Sequence, residues 1–234
     1  MKASVIIPAL NEEKVIEATL KAIRAQSEKN LELIVADGNS TDKTVEISKK
    51  YTDAKNVVTE TTRTIAAGRQ AGARASKGEL LLYTDADSLP DRDWAKNLIA
   101  AFDDKNVVAA FGSIEPLDAS PLEKTAIKFT TDLLASLFNF VGLDYTYGNN
   151  MAIRRSAFEK IGGFNIYIVT AEDTDIVHRL RTQGKVVFVP SAKVLYSTRR
   201  IRKWGYAKYI LFHAKNFFST FIFKKPAKHY EVIR

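Results

Sequence analysis

The chain has 234 residues, with 35 lysines and arginines against 27 aspartates and glutamates, a formal charge of +8, 46% hydrophobic residues and 26% charged residues. That composition excludes a disordered or fibrous chain, and the length suits one α/β domain, or one domain with an appendage, able to bury a core without staples. The absence of cysteine excludes a disulfide framework, thiolate-bound zinc, iron–sulfur clusters and thiol catalysis, and is compatible with a cytosolic setting.

The opening MKASVIIPALNEE does not read as a secretory leader, because its apolar run is short and Asn-Glu-Glu follows at once. Ala3–Ile7 reads as a β-rich strand closed by Pro8. Asn11 is placed to cap a helix with Ile16, Leu20 and Ile23 on one face, and Glu12 and Glu13 suit its first turn. Leu31–Ala36 reads as a second strand ending at Asp37-Gly38-Asn39-Ser40, followed by a helix over Thr41–Lys50 and a weaker strand at Val57-Val58. Ile65–Ala75 reads as a helix closed by Gly78, and Leu80–Thr84 as a strand running into Asp85-Ala86-Asp87. Trp94–Phe102 is expected to be helical and Val107–Gly112 extended. This alternation predicts an α/β fold with a mostly parallel sheet covered by helices on both faces. Ligands of such sheets sit beyond the carboxyl ends of the strands, and the polar clusters at Asn11-Glu12, Asp37 and Asp85–Asp87 all follow predicted strand ends.

The second half is less regular. Pro121–Gly142 contains a helix with Leu133, Leu134, Leu137 and Phe138 on one side; Asp144–Arg155 is rich in glycine and asparagine around Gly148-Asn149-Asn150. A helix near Glu172–Gln183 precedes β-like runs at Lys185–Val189 and Lys193–Tyr196.

Several of these residues are candidates for chemistry. Asp85 and Asp87, separated by one small residue, can both approach a hard divalent cation such as Mg²⁺ or Mn²⁺; the same spacing also serves a strand-exit turn. Asp37 can accept from a base or ribose, or form an Asx-turn with Gly38. Arg69 can brace a nucleotide or lie solvated on its helix. Glu172, Asp173 and Asp175 open a helix, where one carboxylate held ionised by the helix terminus can take a proton from an attacking hydroxyl, and where acidic residues also cap. His178, His213 and His229 are not spaced for a metal site.

Together, SVIIPALNEEKVIEATLKAI, LELIVADGNSTDKTVEI, AAGRQAGARASKGELLLYTDAD, GNNMAIRRSAFEKIGGF and AEDTDIVHRLRTQGKVVFVPSAKVLY resemble, in register over about residues 3–200, the family 2 glycosyltransferases. These are inverting, nucleotide-sugar-dependent enzymes of GT-A fold. The resemblance implies that Pro8, Glu12, Asp37 and Arg69 line the nucleotide pocket, that Asp85 faces ribose or metal, and that Asp87 binds the metal on the donor diphosphate. It further implies Asp173, paired with Glu172, as general base. Gly148, Asn149, Asn150 and Trp204 would shape the sugar and acceptor cavity, and Arg200 would contact the leaving diphosphate. Leu10 stands where many relatives have an aromatic residue against the base, which leaves the base open between UDP, favoured, and GDP. Tyr196-Ser197-Thr198 lacks the histidine that relatives often carry there. Arg200-Ile201-Arg202-Lys203-Trp204 is similar to the Gln-x-x-Arg-Trp signature of processive members with both polar positions replaced, which implies transfer of a single sugar.

Residues 199–234 hold ten basic residues and one acidic residue, whereas the first 198 have 25 basic and 26 acidic, so the charge belongs to the tail. Within it, WGYAKYILFHAKNFFSTFIF interleaves aromatics with Lys208 and Lys215. Such a helix suits the headgroup region of an anionic membrane, through residues 199–228, or else packs on the domain. Lys208, His213 and Lys215 argue against a spanning helix, and the near-neutral body argues against nucleic acid as a partner. The expected organisation is a glycosyltransferase domain over 1–198, with nucleotide-binding and acceptor halves at about 1–112 and 113–198, and a basic aromatic tail over 199–234. The expected setting is the cytoplasmic face of a membrane, peripherally bound, with a lipid or lipid-linked acceptor. The alternatives are a soluble transferase acting on a small or protein acceptor, and a non-catalytic nucleotide-sugar-binding protein.

Overall fold

The computed structural model of the chain describes residues 1–143 and 146–223. Its first half runs β1 (Ala3–Ala9), α1 (Ile16–Arg24), β2 (Leu31–Asp37), α2 (Thr44–Ser48), β3 (Val57–Thr59), α3 (Ile65–Ala75), β4 (Leu80–Tyr83), β5 (Ser88–Pro90) and α4 (Trp94–Ala100). The second half runs β6 (Val107–Pro116), α5 (Pro121–Phe140), β7 (Met151–Arg154), α6 (Arg155–Lys160), α7 (Glu172–Leu180), β8 (Lys185–Tyr196), α8 (Arg199–Trp204) and α9 (Tyr206–Phe223). The strands form one sheet in the order β3-β2-β1-β4-β7-β6-β8-β5.

The β1–β4 half is parallel, as the alternation predicts. Its central strands β1, β2 and β4 are largely buried on both faces: Val5 and Ile7 join α1 and α4 in one core cluster, while Ile6 joins α3 and α7 in the other. That double burial is why these strands read as continuous apolar runs. Glycine sets how close α3 comes: a Cβ on Gly72 would lie 2.4 Å from the Ile6 side chain, and one on Gly68 would lie 3.0 Å from Pro8. The helix therefore lies against β1 with Arg69 brought to the strand ends.

The second half departs from simple alternation. β7 pairs antiparallel with both β4 and β6, and β5 pairs antiparallel with β8. The runs Lys185–Val189 and Lys193–Tyr196 belong to a single strand, β8, parallel to β6 with a register shift between Gly112 and Ser113. Asn11 does not cap α1. It sits at φ 53° and its Oδ1 accepts from the Thr41 amide (2.8 Å), tying the loop after β1 to the loop after β2. α5 opens with a capping box between Ser120 and Glu123. Leu134 and Phe138 are half-buried while Leu133 and Leu137 are exposed, so its apolar residues are divided between opposite faces. Among the described residues, no helix is long and apolar enough to cross a membrane.

Candidate active site

A cavity of about 560 Å³ opens at the carboxyl ends of β1, β2 and β4. Pro8, Leu10, Gly38 and Arg63 line one side; Asp85 and Asp87 form the floor after β4; Gly148, Glu172 and Asp173 form the opposite wall. The loops that shape it carry the chain's strained backbone. Among the described residues, the non-glycine positions with positive φ are Asn11, Asn39, Arg63 and Ala171, each lining the cavity or adjoining a residue that does. A left-handed conformation costs a residue with a Cβ about 1–2 kcal/mol, and such strain concentrates at functional sites.

The wall around α7 is built on a buried arginine. Arg69 is 2% exposed, and its guanidinium donates to Glu172 Oε1 (2.6 Å) and Asp85 Oδ1 (3.0 Å). Burial works against its charge, but Asp85, Glu172 and Asp173 outweigh burial and hold Arg69 above the usual arginine range. Gly148 fits this network because a Cβ there would lie 2.5 Å from the Arg69 guanidinium. Its amide donates to Asp173 Oδ2 (3.0 Å), and Asp173 Oδ1 accepts from the Thr174 amide (2.8 Å). α7 is fixed by Ile176, Val177 and Leu180 in the core, which leaves its first turn facing the cavity. The helix N-terminus favours an ionised carboxylate, yet burial wins at both first-turn acids. Desolvation raises Glu172 and Asp173 above the ordinary carboxylate range, against the pull of Arg69. An acid so raised is better matched to proton transfer near neutral pH than an ordinary aspartate.

The floor carries a second network. Arg199, at the start of α8, donates to both oxygens of Glu12 (2.8 and 2.7 Å) and lies 3.0 Å from Asp87 Oδ2. Burial, followed by the charge of Asp85, pushes Asp87 up to about 6, while Arg199 holds it down. Asp85 and Asp87 offer hard oxygen donors of the kind Mg²⁺ and Mn²⁺ take. Among the described residues there is no group of three or more side chains able to hold a metal by themselves. The pair thus fits an ion that also binds a ligand's phosphates, the usual arrangement for Mg²⁺.

The cavity gathers most of the residues expected from the sequence: Pro8, Glu12, Arg69, Asp85, Asp87, Gly148, Asn149, Glu172, Asp173 and Arg200 all line it. Three do not. Asp37 is buried beneath the wall that Ala36 and Gly38 present; its Oδ2 accepts from the Ser40 amide (2.9 Å), and Oδ1 has no hydrogen-bond partner in the structure. Asn150 is fully buried and spends its amide on the core, accepting from Trp94 Nε1 (2.9 Å) and donating to the Ser113 and Ala192 carbonyls (2.7 and 2.9 Å). Trp204 stands outside, its ring flanked by Arg200 and Lys208.

Two features went unread in the sequence. Arg199 reaches the floor, whereas Arg200 lines the cavity with its guanidinium over the Trp204 ring; the available signal was the run of cations at Arg199–Lys203 just after the last strand. The roof was also missed. Tyr209, Phe212, His213 and Asn216 of α9 line the cavity, and Thr170 Oγ1 donates to Asn216 Oδ1 (3.2 Å). Burial pushes His213 down to about 4, so it is neutral at pH 7. Their spacing of three and four residues was the available signal for a second, inward face. Lys224–Lys228 and His229 lie outside the described residues.

A cavity with paired acids around it at the strand ends of a βα sheet is where such sheets bind ligands, and comparison with known proteins narrows the class. The model of the family described as Glycosyl transferase family 2 matches residues 4–162, and the chain belongs to that family. The probable glycosyltransferase YdaM of Bacillus subtilis (strain 168) is 31% identical over 214 residues, covering 82% of this chain and 49% of YdaM. The O-antigen chain rhamnosyltransferase WbaN of Salmonella anatum is 29% identical, covering 83% of this chain and 66% of WbaN. The chain thus spans about half to two-thirds of the length of these relatives. Among solved structures, the mannosyltransferase PcManGT from Pyrobaculum calidifontis, in complex with GDP-Man and Mn²⁺, superposes with a TM-score of 0.72 at 23% identity, covering 97% of this chain and 65% of PcManGT. S. aureus TarS 1–349, in complex with UDP-GlcNAc, gives 0.68 at 21% identity, covering 85% of this chain and 59% of TarS 1–349. At those identities the likeness establishes the fold, which is GT-A.

Proposed function

We propose that the chain transfers one sugar, with inversion, from a nucleoside-diphosphate sugar to a hydroxyl or phosphate of a lipid or lipid-linked acceptor. The observation that carries this is the cavity itself, where Asp173, anchored by the Gly148 amide, faces the same space as Asp85 and Asp87. The donor classes follow from PcManGT and TarS, which bind GDP-Man and UDP-GlcNAc. UDP is favoured and GDP possible. WbaN, an O-antigen chain rhamnosyltransferase, supports a growing, lipid-linked acceptor.

In this reading Pro8, Glu12 and the Ala36–Gly38 edge hold the nucleotide, with Asp37 supporting that edge from below. Asp173 accepts the proton of the acceptor hydroxyl as its oxygen attacks the anomeric carbon. The new C–O bond forms on the face opposite the diphosphate, the bond to the diphosphate oxygen breaks, and the configuration inverts. Glu172 holds Arg69, which keeps the wall and floor in register; Arg199 and Arg200 balance charge on the departing diphosphate. A divalent ion held by Asp85 and Asp87 supplies neutralisation of that diphosphate when bound. The cytoplasmic face of a membrane, with peripheral attachment through residues 199–228, is the setting that matches such an acceptor.

The test is nucleotide release from UDP-, GDP- and dTDP-sugars with Mn²⁺, Mg²⁺ or EDTA, with and without total lipid extract. One donor is expected to be cleaved in a metal-dependent, lipid-stimulated way, with an inverted product anomer. Binding of no donor across the panel would overturn the reading.

A further inference from the structure

α5 is held to the body by one face. Ala135 is buried, and Ile127, Leu134 and Phe138 are half-buried beside it. The opposite face carries Leu122, Phe129, Leu133, Leu137 and Phe140, which are 80, 70, 55, 51 and 87% exposed. Their spacing of seven, four, four and three residues sets them in one stripe along this 20-residue helix. Ala126 and Ser136 complete the stripe, and no charged side chain interrupts it. An unbroken apolar ridge of that length marks an interaction surface.

What borders the ridge decides its occupant. The first turn of α5 meets the start of the basic tail: Arg202 donates to the Asp118 carbonyl, and Glu123 is hydrogen-bonded by Tyr206. With Tyr209, Phe212, His213 and Asn216 turned into the cavity, α9 presents Ile210 and Leu211 outward, 61 and 70% exposed, flanked by exposed Lys208 and Lys215. No acidic residue occurs between Asp175 and Glu231. A second copy of the chain would set cations against cations, whereas an anionic bilayer neutralises them while its acyl boundary takes the apolar side chains.

We propose that α5 is a membrane-docking helix, whose Leu122–Phe140 stripe enters the headgroup region of an anionic bilayer beside the outer face of α9. The inference rests on the lipid-acceptor reading of the site and extends it. Attachment then involves two helices that meet where Tyr206 bonds Glu123; because α9 also roofs the cavity, docking would hold the roof against the lipid and give a lipid-borne acceptor a short path inward.

The absence of native cysteine makes a local probe unambiguous. Phe129→Cys and Leu137→Cys, each labelled with an environment-sensitive fluorophore, are expected to shift to the blue with phosphatidylcholine–phosphatidylglycerol vesicles and not with phosphatidylcholine alone. A label at Lys50→Cys, beside α2, is expected to stay unshifted. The neutral triple variant Phe129→Ser/Leu133→Ser/Phe140→Ser is expected to bind the anionic vesicles at least about tenfold more weakly in sedimentation, with vesicle-free nucleotide release unchanged. Unshifted labels on bound protein, or equal binding of the triple variant, would overturn the proposal and leave attachment to the tail. A wild-type dimer turned to monomer by the triple variant would overturn it in favour of a second copy. Donor cleavage without vesicle binding would overturn docking alone; vesicle binding without cleavage or binding of any donor would overturn the transfer reading alone.

Discussion

The floor and the α7 wall of the cavity both present paired acids answered by an arginine, and they are built in opposite ways. Asp87 on the floor is 20% exposed, and its counter-charge Arg199 is 27% exposed on a six-residue helix at the edge of the tail. On the wall, Glu172 is 10% exposed and Arg69 2%, the guanidinium held between the first turn of a core helix and the half-exposed Asp85 at the end of β4. An ion pair near the surface contributes about 1 kcal/mol or less and can exchange its partner for a ligand. Removing one member of a buried network leaves charges stranded at about 3–5 kcal/mol. In the proposed function the difference divides labour: the floor would bind and release a charged donor, and the wall would hold a proton acceptor in a fixed place.

The sharpest way to break that division is Asp173→Asn. The substitution keeps the shape and, with its one carbonyl oxygen turned to the Gly148 amide, gives up the Thr174 contact; it removes the proposed base, and turnover is expected to fall roughly 10²–10⁴-fold with donor affinity unchanged. Arg69→Ala comes next. It strands Asp85 and Glu172, so thermal unfolding should show a loss of about 3–5 kcal/mol, with Arg69→Lys recovering only part because it lacks the forked geometry.

The two regions should share a pH response. Asp87, Glu172 and Asp173 are all raised above their ordinary values, so the folded protein holds extra protons and these groups withdraw stability as pH climbs. For Asp87 the window runs from 3.8 to about 6. In the proposed mechanism activity needs the ionised forms and is expected to move the other way, failing on the acid side. Asp87→Asn is expected to flatten the stability slope across that window, measured as melting temperature against pH. Removing Arg199, which lowers Asp87, should move the acid limb of activity upward. The smallest effect belongs to the roof: Asn216→Ala loses the Thr170 bond, an expected stability change of about 1 kcal/mol, seen best as faster amide exchange in α9.

The same contrast explains what was legible in the sequence. The floor could be read because β1, β2 and β4 are apolar runs ended by Pro8, Asp37 and Asp85, and because helix and strand periods differ. The Glu172-Asp173 pair could be read because acids open a periodic helix. Strand direction could not, since the apolar pattern of Met151–Arg154 is the same whether β7 runs with or against β4. β5 has three residues, too few to show an alternation. α5 is apolar on opposite sides, so its period did not tell which face is covered. Asp37 and Asn150 carry polar side chains suited to a ligand, and only packing reveals that Asn150 serves Trp94 and two carbonyls. Arg199 and Arg200 are adjacent, and only the turn after β8 determines which meets Glu12.

The division between floor and wall is tested most directly by calorimetric titration of the active donor, with Mn²⁺, into Asp173→Asn and Asp87→Asn. The first variant is expected to bind as the wild type does, and the second to lose metal-dependent binding. Equal loss in both, or loss in Asp173→Asn alone, would contradict the assignment of donor binding to the floor and proton transfer to the wall.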